Sequence, residues 1–149
     1  MRAAVIALFL AAVVGATACD TQRDRPLGPE QPVATTSVLV RAPLANQAVG
    51  ADSTIDVVIG ATGSIRAVEF FATRVSLPDT VGRERRILEQ AVSQVEVRFR
   101  LHVPPLATGI NLAIHGVAED LSGELHLSEP TFVVVIDCEQ FPLSCESGL

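Results

Sequence analysis

Residues 95–103 read VEVRFRLHV, in which Val95, Val97, Phe99, Leu101 and Val103 alternate with Glu96, Arg98, Arg100 and His102. Successive side chains of a strand point to opposite faces, so this period of two requires an extended segment with one face buried and one wet. A helix would scatter the same apolar residues around its circumference. A sheet that must bury one face needs a second layer to cover it. Other runs repeat the demand. SVLVRAP alternates and stops at Pro43, TIDVVIGA places Ile55, Val57, Ile59 and Ala61 together, and RAVEFFAT does the same for Val68, Phe70 and Ala72. INLAIHGVAED aligns Ile110, Leu112, Ile114, Gly116 and Ala118, and ELHLSEPTFVVVID closes the set, with Pro130 as a bend or strand break. Six or seven short runs punctuated by turn residues predict a single antiparallel all-β sandwich of about seven strands. Residues 74–94 alternate poorly and read as a long loop leading into an edge strand; Arg83, Arg85 and Arg86 form a basic cluster there, read as solvated.

The 149 residues suit one domain with tails, and the apolar content is enough for a packed core. The net charge of −6 without a basic face makes the chain a poor binder of nucleic acid. Lysine is absent, which excludes a P-loop, a Schiff-base lysine and a Ser-Lys dyad.

The N-terminus carries its own signal. Met1 and Arg2 precede the apolar stretch AAVIALFLAAVV, which has the length of a secretory h-region and is too short for a comfortable membrane span. GATAC follows, ending at Cys19. The stretch resembles a bacterial lipobox: Thr17 and Ala18 fit the small-residue positions, and Ala16 stands where Leu is usual. The resemblance implies lipid attachment at Cys19 and a membrane anchor. An ordinary signal peptide with a free Cys19, or an uncleaved anchor, are the rival readings. Three cysteines in an exported chain leave an odd thiol. Acylation of Cys19 removes it, and Cys138 and Cys145 then remain to form a disulfide in an oxidising compartment; two free thiols on a frayed tail, or a soft-metal site with only two ligands, are the alternatives. Residues 20–35 are rich in proline and charge and read as a disordered linker.

The domain itself resembles bacterial immunoglobulin-like modules. VLVRAPLANQAVGADSTIDVVIGATG is similar to their opening: an alternating strand, a proline, a small-residue turn and a second strand. IRAVEFF looks like their third strand. PPLATGINLAIHGVAEDLSGE looks like their Gly-led strand ending in Ala-x-Asp, with Gly109, Ala118, Asp120 and Gly123 at the matching positions and Glu124 where Asn is usual. Fibronectin-type sandwiches share these motifs, and the tryptophan and intersheet disulfide of antibody domains are absent. The resemblance implies a structural or adhesive module. The expected organisation is a signal peptide at 1–18, a lipidated N-terminus and linker at 19–35, an immunoglobulin-like β-sandwich at 36–137, and a tail with the disulfide at 138–149.

The chemistry-bearing residues are few. A tight turn centred on Leu121 and Ser122 would set His126 opposite Val117 and make His115 and His126 neighbours on one outer face, without a third metal ligand in view. Asp120, Ser122 and Glu124 offer alternating oxygens of the kind a calcium loop uses. Asp before a glycine turn is also what a hairpin needs unaided, and this second reading is preferred. No nucleophile elbow or catalytic constellation is evident, so no catalytic residues, metal or cofactor are assigned. The expected function is a non-catalytic lipoprotein of the bacterial cell envelope, facing the periplasm or the exterior, that binds or scaffolds an envelope protein or glycan. A carbohydrate-binding or adhesive surface module is the first alternative, with Phe71 as the outward ring, and a small periplasmic enzyme the second.

Overall fold

The computed structural model describes residues 35–77 and 79–142, within the compact unit Val33–Leu149. Cys19, Cys145, the leader and the linker up to residue 34 lie outside the described residues. Seven strands are found among those described: β1 (Ser37–Ala42), β2 (Ala48–Gly50), β3 (Thr54–Arg74), β4 (Thr80–His102), β5 (Asn111–Asp120), β6 (Leu125–Leu127) and β7 (Thr131–Ile136). Hydrogen bonding runs in the order β1–β3–β5–β7–β2, with β4 beside β3 and β6 beside β5.

The two long strands build the architecture. The first half of β3, residues 54–62, pairs with β1 and with residues 94–102 of β4. Its second half pairs with β5 and with the start of β4. The change of partner falls at irregular backbone: Gly63 has φ 121°, a conformation that glycine tolerates and other residues avoid. Two steps along β3, Ile65 to Ala67, are matched there by five along β4, Val92 to Ile87. Bulges of this kind bend a strand pair and let one chain serve two layers.

The two halves share one core. Phe70 belongs to the second half and Phe99 to the first, yet their ring centroids are 5.1 Å apart. A Cβ on Gly116 of β5 would stand 2.9 Å from Ile59 Cγ2 and 3.2 Å from Val38 Cγ1, so β5 packs closely across β3 and β1. Val57, Ile59, Val68, Phe70, Phe99, Leu112, Ile114 and Val133 are all buried at 1% exposure or less. The alternation of residues 95–103 holds: Phe99 and Leu101 are buried while the Arg98 side chain is 70% exposed. Taken as spatial equivalents, β1, early β3 and late β4 form one layer, with late β3, early β4, β5 and β7 opposite. The described strands thus build an all-β domain around one core.

Three expectations change. Residues 80–92 are not a loop: β4 is paired with β3 from Thr80 onward. The segment is an edge strand whose Val81, Leu88 and Val92 pack in part against the core, but Glu84 and Arg86 stand opposite the buried Phe70 and Val68, so the two-residue apolar period is lost. The sheet is not wholly antiparallel, because β2 runs parallel to β7, with Ala48 opposite Val134. Finally, the β5–β6 hairpin has a register one residue longer than a two-residue turn gives. Ala118 faces His126 and Val117 faces Leu127. The loop holds three residues, Leu121 to Gly123, closing on Asp120 N–H donating to the Glu124 carbonyl at 3.0 Å, with Gly123 at φ 87°. A three-residue hairpin loop ends in such a left-handed residue. One step of register exchanges faces: His126 lies on the side of Ala118 and His115 on the other.

Candidate functional site

Two features stand out beside that hairpin. The first is the turn. Asp120 Oδ1 accepts from the Ser122 amide at 2.8 Å, the Ser122 hydroxyl at 2.5 Å and the Glu124 amide at 3.0 Å. Its other oxygen meets His126 Nε2 at 2.9 Å. The Ser122 hydroxyl first, and then His126, hold the Asp120 carboxyl well below the usual carboxylate range. Ligand atoms of Asp120, Glu124 and His126 lie within 4.8 Å of one another. The arrangement therefore gathers His126 where the sequence pointed to Ser122, whose hydroxyl is turned onto the aspartate. Oδ1 is taken by the three hydrogen bonds of the turn, which leaves only Oδ2, in contact with His126, to face a cation. The order Ser122–Asp120–His126 is also wrong for nucleophile activation, which needs the imidazole between hydroxyl and carboxylate.

The second feature is the outer face of the second layer. Glu69 and Glu119 are only 7% exposed there. Arg83 binds Glu69, and Arg66 and Arg85 both bind Glu119. Burying a carboxylate is unfavourable unless it is paired, and the cluster read as solvated supplies that pairing. On the inner side of β4, Arg86 stands opposite Val68 and lies over the Phe99 ring, its guanidinium carbon 5.3 Å from the centroid. Phe71 stacks on His115 at 4.7 Å and 12°, and His115 Nδ1 is buried without a hydrogen-bond partner among the described residues. Around these groups, apolar side chains face solvent: Ile87 is 74% exposed, Leu125 63%, Leu127 61% and Phe132 44%. Phe132 is thus a more open ring than the half-buried Phe71. Sequence reasoning missed Leu125 and Leu127. Their alternation around His126 marks them as a pair sharing one face, but not which face is wet.

Between β2 and the strands of the first layer, a groove of about 710 Å³ is lined by Gly50, Ser53, Asp56, Arg98, Arg100 and Cys138. Asp56 and Arg98 pair across it at 3.3 Å. The predicted lipid site Cys19 and the disulfide partner Cys145 lie outside the described residues, whereas Cys138 follows β7 and its sulfur lies against Gly50.

Among solved structures the chain is similar to a fibronectin(III)-like module of Clostridium thermocellum CbhA, with 19% identity over 66% of this chain and 94% of that chain, and a TM-score of 0.39. No family model matches the chain. No curated protein matches it closely.

Proposed function

We propose that this chain is a non-catalytic lipoprotein of the bacterial cell envelope, anchored through Cys19 and facing the periplasm or exterior, whose immunoglobulin-like domain binds or scaffolds an envelope protein or glycan. The observation that carries the binding role is the outer sheet face. Its buried carboxylates are closed off in ion pairs, and what it presents to solvent is apolar side chains and a ring. Exposed apolar groups on a flat face serve contact, whereas catalysis wants polar groups converging in a cleft. The anchor is supported by the apolar leader ending in Ala-Cys and by the proline-rich spacer behind it. Pairing of Cys138 with Cys145 belongs to the same reading, since it leaves no reactive thiol once Cys19 is acylated.

Photo-crosslinking in intact cells tests the binding role. A benzoylphenylalanine replacing Phe132 should give a discrete adduct with one envelope component, and one replacing Arg100, on the opposite layer, should not. Equal labelling from both positions would overturn the assignment.

A further inference from the structure

Large exposed apolar side chains lie at both ends of the domain, Leu44 and Leu77 at one and Leu121, Leu125, Leu127 and Ile87 at the other, and the second is the end at which the chain enters. Thr36 packs against the bend of β3: a Cβ on Gly63 would stand 3.1 Å from the Thr36 Cα. The next residue of that bend, Ser64, accepts a hydrogen bond from the Leu121 amide at 3.0 Å. The incoming chain and the β5–β6 turn thus flank the same two residues. Leu121 is 62% exposed at the tip of that turn. Beside it, one row crosses the outer face as Ile87, Ala67, Glu119 and Leu125, and Leu127 follows in the next row. Four large apolar side chains, each more than 60% exposed, therefore cluster at the entry point. The Arg66 and Arg85 side chains, 51% and 43% exposed, stand among them over the buried Glu119.

We infer that this end of the domain lies on the phospholipid surface that carries the N-terminal anchor. The inference rests on the anchor of the proposed function and adds the orientation in which the anchored domain sits. A chain held at residue 19 and entering the fold at residue 36 keeps the domain within reach of the bilayer, and a tether raises the effective concentration so that weak surface contacts are occupied. Leucine and isoleucine partition into the interfacial zone by burying apolar area. Guanidiniums standing among them reach the phosphate level, where they hydrogen-bond lipid phosphate oxygens while keeping their stems in the apolar layer. Glu124, exposed on the turn, disfavours a strongly anionic surface, so the lipid that fits is one whose phosphate is balanced by an amine.

The absence of tryptophan and tyrosine makes this directly readable. The full chain purified from membranes is reconstituted into phosphatidylethanolamine–phosphatidylglycerol vesicles, as Leu125→Trp or, for the opposite end, as Leu44→Trp. Leu125 is 63% exposed and Leu44 70%, so neither variant alters the core. Brominated lipid should quench the Leu125→Trp emission several-fold more than that of Leu44→Trp, with a blue shift at the first position alone. Equal quenching, or a blue shift at position 125 that appears only on adding envelope protein, would overturn the inference. Intact mass of the same samples reads the anchor separately. An acylated chain with unquenched Leu125→Trp emission overturns the orientation and leaves the anchor standing; preferential quenching in an unacylated chain supports the surface contact and overturns the anchor.

Discussion

Asp120 shows how much one side chain settles. Its carboxylate collects the amides of Ser122 and Glu124, the Ser122 hydroxyl and His126, and by doing so fixes a three-residue loop and the register of β6 on β5. Because the folded pKa is depressed, the stabilisation is complete above the unfolded carboxylate value of about 4 and disappears as pH falls through the folded value. Asp120→Asn should therefore melt below the wild type at neutral pH, and the gap should close as acid protonates the wild-type aspartate. Thermal melts across that range would refute this if the gap stayed constant. Phe99 and Arg98 make a second contrast between adjacent residues. Phe99 is 1% exposed against Phe70 and beneath Arg86, so Phe99→Ala should cost about 3–5 kcal/mol. Arg98 is 70% exposed in a surface pair with Asp56, and Arg98→Ala should cost about 0.5 kcal/mol. Denaturant titration giving equal losses would mean that the strand faces are reversed.

At the scale of elements, legibility follows burial. Strands with one face in the core, such as residues 95–103 and 112–118, declare themselves through alternation. Residues 80–92 do not, because Glu84 and Arg86 occupy the positions opposite buried Phe70 and Val68, and the arginine–carboxylate pairs of the outer face link distant positions: Arg85 with Glu119, Arg83 with Glu69. The hairpin register was out of reach for a related reason, since the choice between two and three loop residues rests on hydrogen bonds to one aspartate. Of the candidate site, Asp120 and Glu124 were visible and His126 was placed on the wrong face by that single step. Gly116 tests the closeness of the layers. Its position against Ile59 and Val38 leaves no room for a methyl group, so Gly116→Ala should destabilise by about 1–3 kcal/mol through overpacking. An unchanged melting temperature would show that β5 stands farther from the opposite layer.

For the whole molecule, the anchored reading makes chemical demands on both ends. Intact-mass spectrometry of the mature protein should find acyl chains on Cys19, and Cys19→Ser should release the protein or stall its processing; an unmodified mature N-terminus would exclude the anchor. At the other end, unfolded, unreduced protein should show no thiol from Cys138 or Cys145. A loop this short contributes about 2–3 kcal/mol at most, and Cys138 comes after the last strand, so the double Cys→Ser variant should still fold. Two reactive thiols in the titration would refute the bridge.

The entry of the chain through β1 has a mechanical consequence. Ser37 is the first residue of β1 and lies at the entry end, and its ladder to β3 runs from Ser37 opposite Thr62 to Ala42 opposite Val58. Phe132 lies at the far end of the opposite layer, roughly 20 Å away along the strands. Tension between an anchored N-terminus and a partner held near Phe132 would pull β1 along its own axis. Ladder hydrogen bonds stand perpendicular to that axis, so the whole row would be sheared at once instead of opening one bond at a time, and the domain would resist force as a clamp.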